Sequence, residues 1–321
     1  MDKNHPKNQH YVPQFLLRNF TIGKKKHVYV FDKLLGKSFQ TSTRNIAAES
    51  GFYDYERDGK QYSLEPFMGQ MEAEASGVIK RVIKQQSLAQ LNNNDRVSLS
   101  LFAAIQQLRV KSVRHRIKSM NSGLRRVLAE RGFTCEDVLP EMNEDDVKQM
   151  SIEHIQMAKE FSKHFYDKAW ILQRAPKSKL LYTSDNPITL HNLVEQPGRG
   201  NLGLTSPGIE IYLPISKHFS ICFLCDSMKQ AIDLGVQNAD SIQQQLGYYP
   251  MDITPLQHID HVIKTGKPDS LHPENVTHQN SLQVLYSSRF IYSATNDFEL
   301  VKSMITENPP QIKHPPEITF Q

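Results

Sequence analysis

Apolar and polar residues alternate along the first part of the chain, which is the spacing of half-buried strands. The segment "HVYVFDKLLGKSFQTS" alternates valine with aromatic residues and has a turn glycine at Gly36, so it predicts a β-hairpin. The segment "GFYDYERDGKQYSL" predicts a second hairpin around Asp58-Gly59. Residues 1–62 are therefore expected to form an N-terminal anchor followed by β-hairpins.

From Ser63 onward the apolar residues recur at helical spacing. Ser63 can cap a helix that has Pro66 in its first turn. The apolar face of this helix is expected to contain Met71, Ala75, Val78 and Val82. The pattern predicts two further helices, over about 96–121 and about 144–173, which makes 63–175 a helical region.

After this region the pattern returns to short strands. The stretch "KLLYTSDNPITL" predicts two β segments split by a turn, and "IEIYLPISKHFSICFL" predicts two joined strands. A helix over "VTHQNSLQVLYSS" and a strand over "RFIYSAT" follow, so 176–306 is expected to be a strand-rich region packing on the anchor, before a Pro-rich tail at 307–321. The expected fold class is α+β, with N-terminal β-hairpins, central long helices and a C-terminal mixed β-sheet with a closing helix.

Composition restricts the class of protein further. The chain has 321 residues, a net charge of +4 and three cysteines, and the odd cysteine count argues against a disulfide framework. The first residues carry lysines without an apolar segment after them, and the apolar stretches fall short of the roughly 20 residues of a spanning helix. We therefore expect a cytoplasmic protein with no membrane partner; the sequence does not indicate an oligomeric state.

Charge is segregated along the chain. Residues 95–132 carry nine Arg or Lys and two acids, whereas residues 134–147 carry six acids and neither Arg nor Lys. A helix over this basic segment would bring Lys111, Arg114 and Lys118 together in one stripe, where like charges repel. The acidic segment or solvent can offset this repulsion, and so can the phosphate backbone of a nucleic acid.

Candidate catalytic groups lie in two separated segments. His10 and Arg18 lie at the two ends of "HYVPQFLLR", and Asp185 follows a predicted strand directly before Asn186 and a proline. Histidine can transfer a proton, and a carboxylate at a strand end can orient it, act as a base or bind a metal. The alternatives are a packed histidine and an ordinary turn. Arg109 projects to the shoulder of an apolar helix face, where it needs a carboxylate, a carbonyl or a ligand.

Two further polar residues flank the predicted closing helix. Asn280 lies within it, where asparagine is unfavourable unless its amide makes a contact, and Arg289 opens the last strand. Taken singly, each is more simply explained by a structural role. Together with the histidine and the aspartate, they are residue types that a phosphodiester-directed site would use.

Several motifs are only weak evidence for a metal-binding or phosphate-binding site. "CFLC" (Cys222, Cys225) has the spacing of half a zinc site, but there is no second pair, and on a strand the two side chains would face opposite ways. "HIDH" with His272 and His278 lacks a regular metal-binding spacing. The long Gly/Pro loop between "HNL" and "GIE" is expected to be a lid, but its "GRGNLG" does not follow a strand as a phosphate-binding loop would.

Three stretches together point to a family: "HYVPQFLLRNF", "LYTSDNPI" and "NSLQVLYSSRFIYS", with "FAAIQQLRV" in the second predicted helix. From about His10 to Ser293 the chain resembles the bacterial family known as domain of unknown function 4238. The resemblance brings no settled chemistry, only a pattern of polar residues. That pattern falls here on His10, Arg18, Arg109, Ser184, Asp185, Asn280 and Arg289.

The leading hypothesis is a hydrolase acting on a phosphodiester or nucleic acid, such as a toxin or a phage-defence effector. The expected catalytic residues are His10, Asp185, Arg109 and Asn280. The expected substrate-binding residues are Arg18, Ser184, Asn186, Arg289, Lys111, Arg114 and Lys118. A divalent metal is a possible cofactor. The alternatives are a non-catalytic nucleic-acid-binding or protein-interaction module and a sensor of a small anionic metabolite.

Overall fold

The computed structural model describes residues 6–23, 26–192, 194 and 201–308. Along the chain, a group of strands is followed by a group of helices and then by a mixed group. The N-terminal elements are β1 (Asn8–His10), α1 (Gln14–Arg18), β2 (His27–Asp32), β3 (Lys37–Ser42), β4 (Ala48–Ser50), β5 (Asp54–Arg57) and β6 (Lys60–Ser63). The central helices are α2 (Glu65–Gln85), α3 (Asn93–Leu108), α4 (Lys111–Glu130), α5 (Cys135–Val138), α6 (Glu144–Gln156) and α7 (Ala158–Tyr166). The remaining elements are β7 (Ala169–Arg174), β8 (Thr183–Ser184), β9 (Thr189–Asn192), β10 (Ile209–Pro214), β11 (Phe219–Leu224), α8 (Asp226–Leu246), α9 (Thr254–Thr265), β12 (Asp269–Ser270), α10 (Pro273–Tyr286), β13 (Phe290–Ser293) and α11 (Glu299–Glu307).

A five-stranded sheet in the order β12-β7-β11-β10-β9 holds the C-terminal half together. The short β12 runs parallel to β7, and the other neighbours are antiparallel, so the sheet is mixed. The expected α+β class is confirmed.

A second sheet, in the order β3-β2-β13-β8, joins the two ends of the chain. Strand β13 lies between β2 and β8, with Phe290 opposite Asp32 and Ile291 opposite Ser184. Residues of the N-terminal segment and of the C-terminal region therefore share one sheet.

Both predicted hairpins are confirmed. Strands β2 and β3 pair antiparallel from His27–Ser42 to Asp32–Lys37. In the β5–β6 hairpin the turn residues Asp58 and Gly59 have φ angles of 54° and 70°, which is the left-handed pair that a tight hairpin turn requires.

The predicted helix over about 96–121 is interrupted. Helix α3 ends at Leu108, and Val110 is extended with ψ of 155° before α4 begins. The break lets α3 bury its apolar face in the main core, while Val113 and Ile117 of α4 pack with Val147 of α6 in a separate cluster. A single straight helix could not reach both.

The predicted helix over about 144–173 is wrong at its C-terminal end. Helix α7 ends at Tyr166, and the buried run "AWIL" becomes strand β7, which pairs along its full length with β11. The helical spacing of "FSKHFYDKAWIL" continues into β7, but long-range pairing in the central sheet decides its conformation.

The sequence pattern did not predict α8, α9 and α11. Helices α8 and α9 cover one face of the five-stranded sheet, where Ala169, Ile171 and Tyr212 pack with Val262 of α9. No helix within the described residues is long and apolar enough to span a membrane. The predicted tail 307–321 lies outside the described residues beyond residue 308.

Candidate functional site

His10 lies on β1, half-buried beside the connection from β3 to β4. Its carbonyl oxygen accepts a hydrogen bond from the Tyr53 hydroxyl at 2.9 Å, and its Nε2 is buried without a partner among the described residues. Burial and the charges of Arg109 and Arg18 lower the pKa of His10, and backbone hydrogen bonds oppose them. The surroundings of the imidazole therefore favour its neutral form.

Arg109 is buried and 1% exposed at the end of α3. Its guanidinium donates to Glu72 of α2 at 2.7 Å and twice to Gln106, at 2.9 and 2.7 Å. Gln106 in turn donates to the carbonyl oxygen of Tyr11 at 3.0 Å. Arg109 thus satisfies its charge with a carboxylate and links α2 and α3 to the N-terminal anchor.

Asp185 is 3% exposed and accepts three backbone hydrogen bonds. Its Oδ1 accepts from the N–H of Ser288 at 2.8 Å, and its Oδ2 accepts from the N–H of Arg289 at 2.8 Å and of Phe290 at 2.9 Å. Burial raises the pKa of Asp185, whereas these N–H groups and Lys33 lower it. The carboxylate holds the connection between α10 and β13.

Three other predicted residues make similar contacts between "LYTSDNPI" and the closing helix. Asn280 accepts from the Tyr182 N–H at 2.7 Å and donates to the Leu180 carbonyl at 3.0 Å. The Ser184 hydroxyl donates to Gln283 at 2.8 Å, and Asn186 donates to the Tyr286 carbonyl at 3.2 Å. Two of the family-like stretches are therefore joined by side-chain hydrogen bonds, most of them to backbone groups.

The remaining predicted substrate-binding residues have protein partners. Arg289 donates to Asp32 at 2.7 Å, and Arg18 donates to Gln14 at 2.7 Å. In the basic stripe, Lys111 pairs with Glu49 at 2.5 Å, Arg114 donates to the Phe52 carbonyl at 2.7 Å, and Lys118 pairs with Glu144 at 2.6 Å. Protein carboxylates and a carbonyl thus offset the repulsion within the stripe.

The Tyr11 side chain of the anchor lies within electrostatic range of the "TSDNP" turn. The charge of Asp185 reaches the Tyr11 hydroxyl, whose pKa is raised by burial and by Asp185, and lowered by Arg289. Catalytic roles for His10, Arg109 and Asp185 stay predictions.

A different cluster of titratable side chains lies at the base of the long loop between β9 and β10. The Nδ1 of His191 lies 3.4 Å from Oε2 of Glu210, the residue directly opposite it in the sheet. The Tyr212 hydroxyl donates to the same oxygen at 2.7 Å. The His278 ring of α10 contacts the His191 ring edge to face, with centroids 4.4 Å apart. We call these four side chains the His191 cluster.

The His191 cluster combines solvent access with proton-transfer groups. His191, Glu210 and His278 are partly exposed, and Tyr212 beneath them is buried. Burial and His191 lower the pKa of His278, and Glu210 opposes them. The sequence contained two signals for this cluster. His191 and Glu210 flank the predicted lid, and Glu210 and Tyr212 lie two positions apart on one strand face.

Among the described residues, no group of three His, Cys, Asp or Glu side chains is arranged to hold a metal ion. In the "HIDH" stretch His258 pairs with Asp269 at 3.0 Å. Cys222 and Cys225 lie in different apolar clusters, on opposite faces of the sheet, as their spacing predicted. The glycines of "GRGNLG" up to residue 200 lie outside the described residues.

The described residues also form an open pocket of about 800 Å³ near the end of β7. Ala175, Phe219 and Leu271 form an apolar wall, and Arg174 and Lys177 add positive charge. No carboxylate lines this pocket. An apolar wall beside positive charge would fit a small anionic metabolite. The sensor hypothesis stays a prediction.

Comparison with known proteins identifies the family. No curated protein and no solved structure matches the chain. The sequence model of one family, described as a protein of unknown function (DUF4238), matches residues 8–297. This match includes the anchor, the "TSDNP" turn, the closing helix and the His191 cluster, so the chain belongs to the DUF4238 family.

Proposed function

We propose that this protein is a phosphodiester hydrolase in which His191 and His278 transfer the protons. The contact between two partly exposed imidazole rings, one of them held by a carboxylate, carries the proposal. Cleavage of a phosphodiester requires a base for the attacking oxygen and an acid for the leaving oxygen, and two histidines supply both.

The surroundings of the two rings suggest which is the base. The lowered pKa of His278 keeps that ring neutral near pH 7, so it can take a proton from water or from a substrate hydroxyl. Glu210, itself held by Tyr212, orients His191 through Nδ1 and leaves Nε2 of His191 to donate to the leaving oxygen. The carboxylate is thus a positioning group.

Arg116 of α4 supports an anionic substrate. It is half-buried, and no described residue accepts a hydrogen bond from its guanidinium. Burial raises the pKa of Tyr286 to about 12, and the nearby charge of Arg116 opposes this effect. The Tyr286 hydroxyl donates to the carbonyl of Leu190, the residue before His191. A phosphate group would supply the missing anion in bidentate fashion.

The test is hydrolysis of single-stranded RNA, single-stranded DNA and bis(p-nitrophenyl) phosphate by the full chain. We expect turnover of at least one of them, with His191→Ala and His278→Ala each slower by about 10²–10⁴-fold, the usual contribution of a general acid or base. His258→Ala is the matched control, because His258 also pairs with a carboxylate but lies outside the cluster.

Two results would overturn the proposal. One is no turnover of any of the three substrates by the wild type. The other is equal turnover by the wild type and by the folded double variant H191A/H278A. Binding of an anion without turnover would favour the sensor hypothesis instead.

A further inference from the structure

A small pocket of about 200 Å³ lies where β11 ends and α8 begins, on the opposite face of the sheet from the His191 cluster. Cys225 lines this pocket and is the N-cap residue of the 21-residue helix α8. Its sulfur accepts a hydrogen bond from the Gly208 N–H at 3.1 Å and lies 2.9 Å from the Ser227 hydroxyl oxygen.

An unpaired ammonium group lines the same pocket. Lys168 is 7% exposed, and no described residue accepts a hydrogen bond from its Nζ. Burial lowers the pKa of Lys168, and the charges of Cys225, Asp226, Asp167 and Cys222 oppose this effect. The ammonium group therefore has donors available for a polar or anionic molecule that enters the pocket.

We infer that Cys225 is a nucleophilic thiol that reacts with small hydroperoxides admitted by this pocket. The thiolate sulfur attacks one oxygen of hydrogen peroxide, a sulfur–oxygen bond forms, and the oxygen–oxygen bond breaks. The products are Cys225 sulfenic acid and hydroxide, so sulfur is oxidised and peroxide is reduced. The departing hydroxide takes up a proton from Lys168, which lines the pocket, and leaves as water.

The thiol environment supports this chemistry. The Ser227 hydroxyl and the N–H groups of Met228 and Gly208 lower the pKa of Cys225 against the effect of burial. The other titratable groups around the pocket are His164, Asp167, Lys168 and Asp226. Cys222, three residues away on the other face, has its pKa raised by burial and by Glu210 and Asp269.

The test treats the full chain with equimolar hydrogen peroxide in the presence of dimedone and measures the label on each cysteine by peptide mass spectrometry. We expect Cys225 to be labelled at least about tenfold faster than Cys222 and Cys135, since the thiolate is the reactive form. Lys168→Met should slow labelling of Cys225 by about tenfold. The control Lys163→Met, which removes an exposed lysine from the same region, should not.

If Cys225 is labelled no faster than the other two cysteines, the inference is wrong. The labelling rate of Lys168→Met is interpreted only if this variant has the same melting temperature as the wild type. If it is too unstable, Ser227→Ala replaces it, with the same expected slowing. Because the readout is the thiol itself, the result is independent of any hydrolase activity.

Discussion

At the residue scale, the polar residues of the family-like stretches act first as structural links. Asp185 and Asn280 bind backbone groups of neighbouring segments, and Arg109 neutralises Glu72. The sequence predicted that these side chains needed partners, since a buried charge or amide without one is costly. It could not predict that the partners of Asp185 and Asn280 are backbone groups about 100 positions away, because such contacts exist only after the chain has folded.

The Asp185→Asn variant measures this structural role. The amide replaces one acceptor oxygen with a donor, so at least one of three buried N–H groups loses its partner, and we expect a loss of about 3 kcal/mol in the free energy of unfolding. Urea denaturation measures it, with Asp233→Asn in a surface ion pair as a control that should change stability by about 1 kcal/mol at most. A variant as stable as the control would contradict the structural role.

At the element scale, local patterns predicted the hairpins and the closing helix, and tertiary contacts changed the helical region. Turn residues with positive φ and alternating side chains are local properties, so they are visible in sequence. The break before α4 and the strand β7 depend on packing partners, since helix α6 covers α4 and strand β11 pairs with β7. Helical spacing alone could not distinguish these outcomes.

Helix α6 offers a test at this scale. The Asn143 side chain accepts from the N–H groups of Asp145 and Asp146, and Asp146 accepts from the Asn143 N–H, which forms a capping box. Asn143→Ala should cost about 1 kcal/mol in the free energy of unfolding. The exposed Glu153→Ala on the same helix should change it by less than about 0.5 kcal/mol. Equal losses would show that the cap contributes nothing.

At the scale of the whole molecule, the two ends of the chain are packed together. Strand β13 pairs with β2, Lys33 donates to the Val284 carbonyl at 2.9 Å, and Asn19 donates to the Ile215 carbonyl at 2.9 Å. These contacts hold several polar groups inside the molecule, and burial is the largest cause that lowers the pKa of His10, His218 and His278.

This burial of neutral histidines predicts a pH dependence of stability. A histidine whose pKa is lower in the folded than in the unfolded state binds fewer protons when folded, so stability rises with pH and is lost as pH falls below the ordinary value of 6.5. We expect the urea midpoint to decrease when the pH is lowered from 7.5 to 5.5. We expect this decrease to be smaller for the His10→Gln variant. Identical pH slopes for the wild type and His10→Gln would contradict the prediction.

The sequence by itself determined the α+β class, the hairpins, the closing helix and the need of each buried polar residue for a partner, because these follow from spacing and residue chemistry. The tertiary structure decided which partner each one has. It brought the Tyr11 side chain of the anchor within electrostatic range of Asp185 in the "TSDNP" turn, and it brought His191 and Glu210 of neighbouring strands against His278 of α10. Strand pairing and helix docking set such distances between residues far apart in sequence, and no local pattern encodes them.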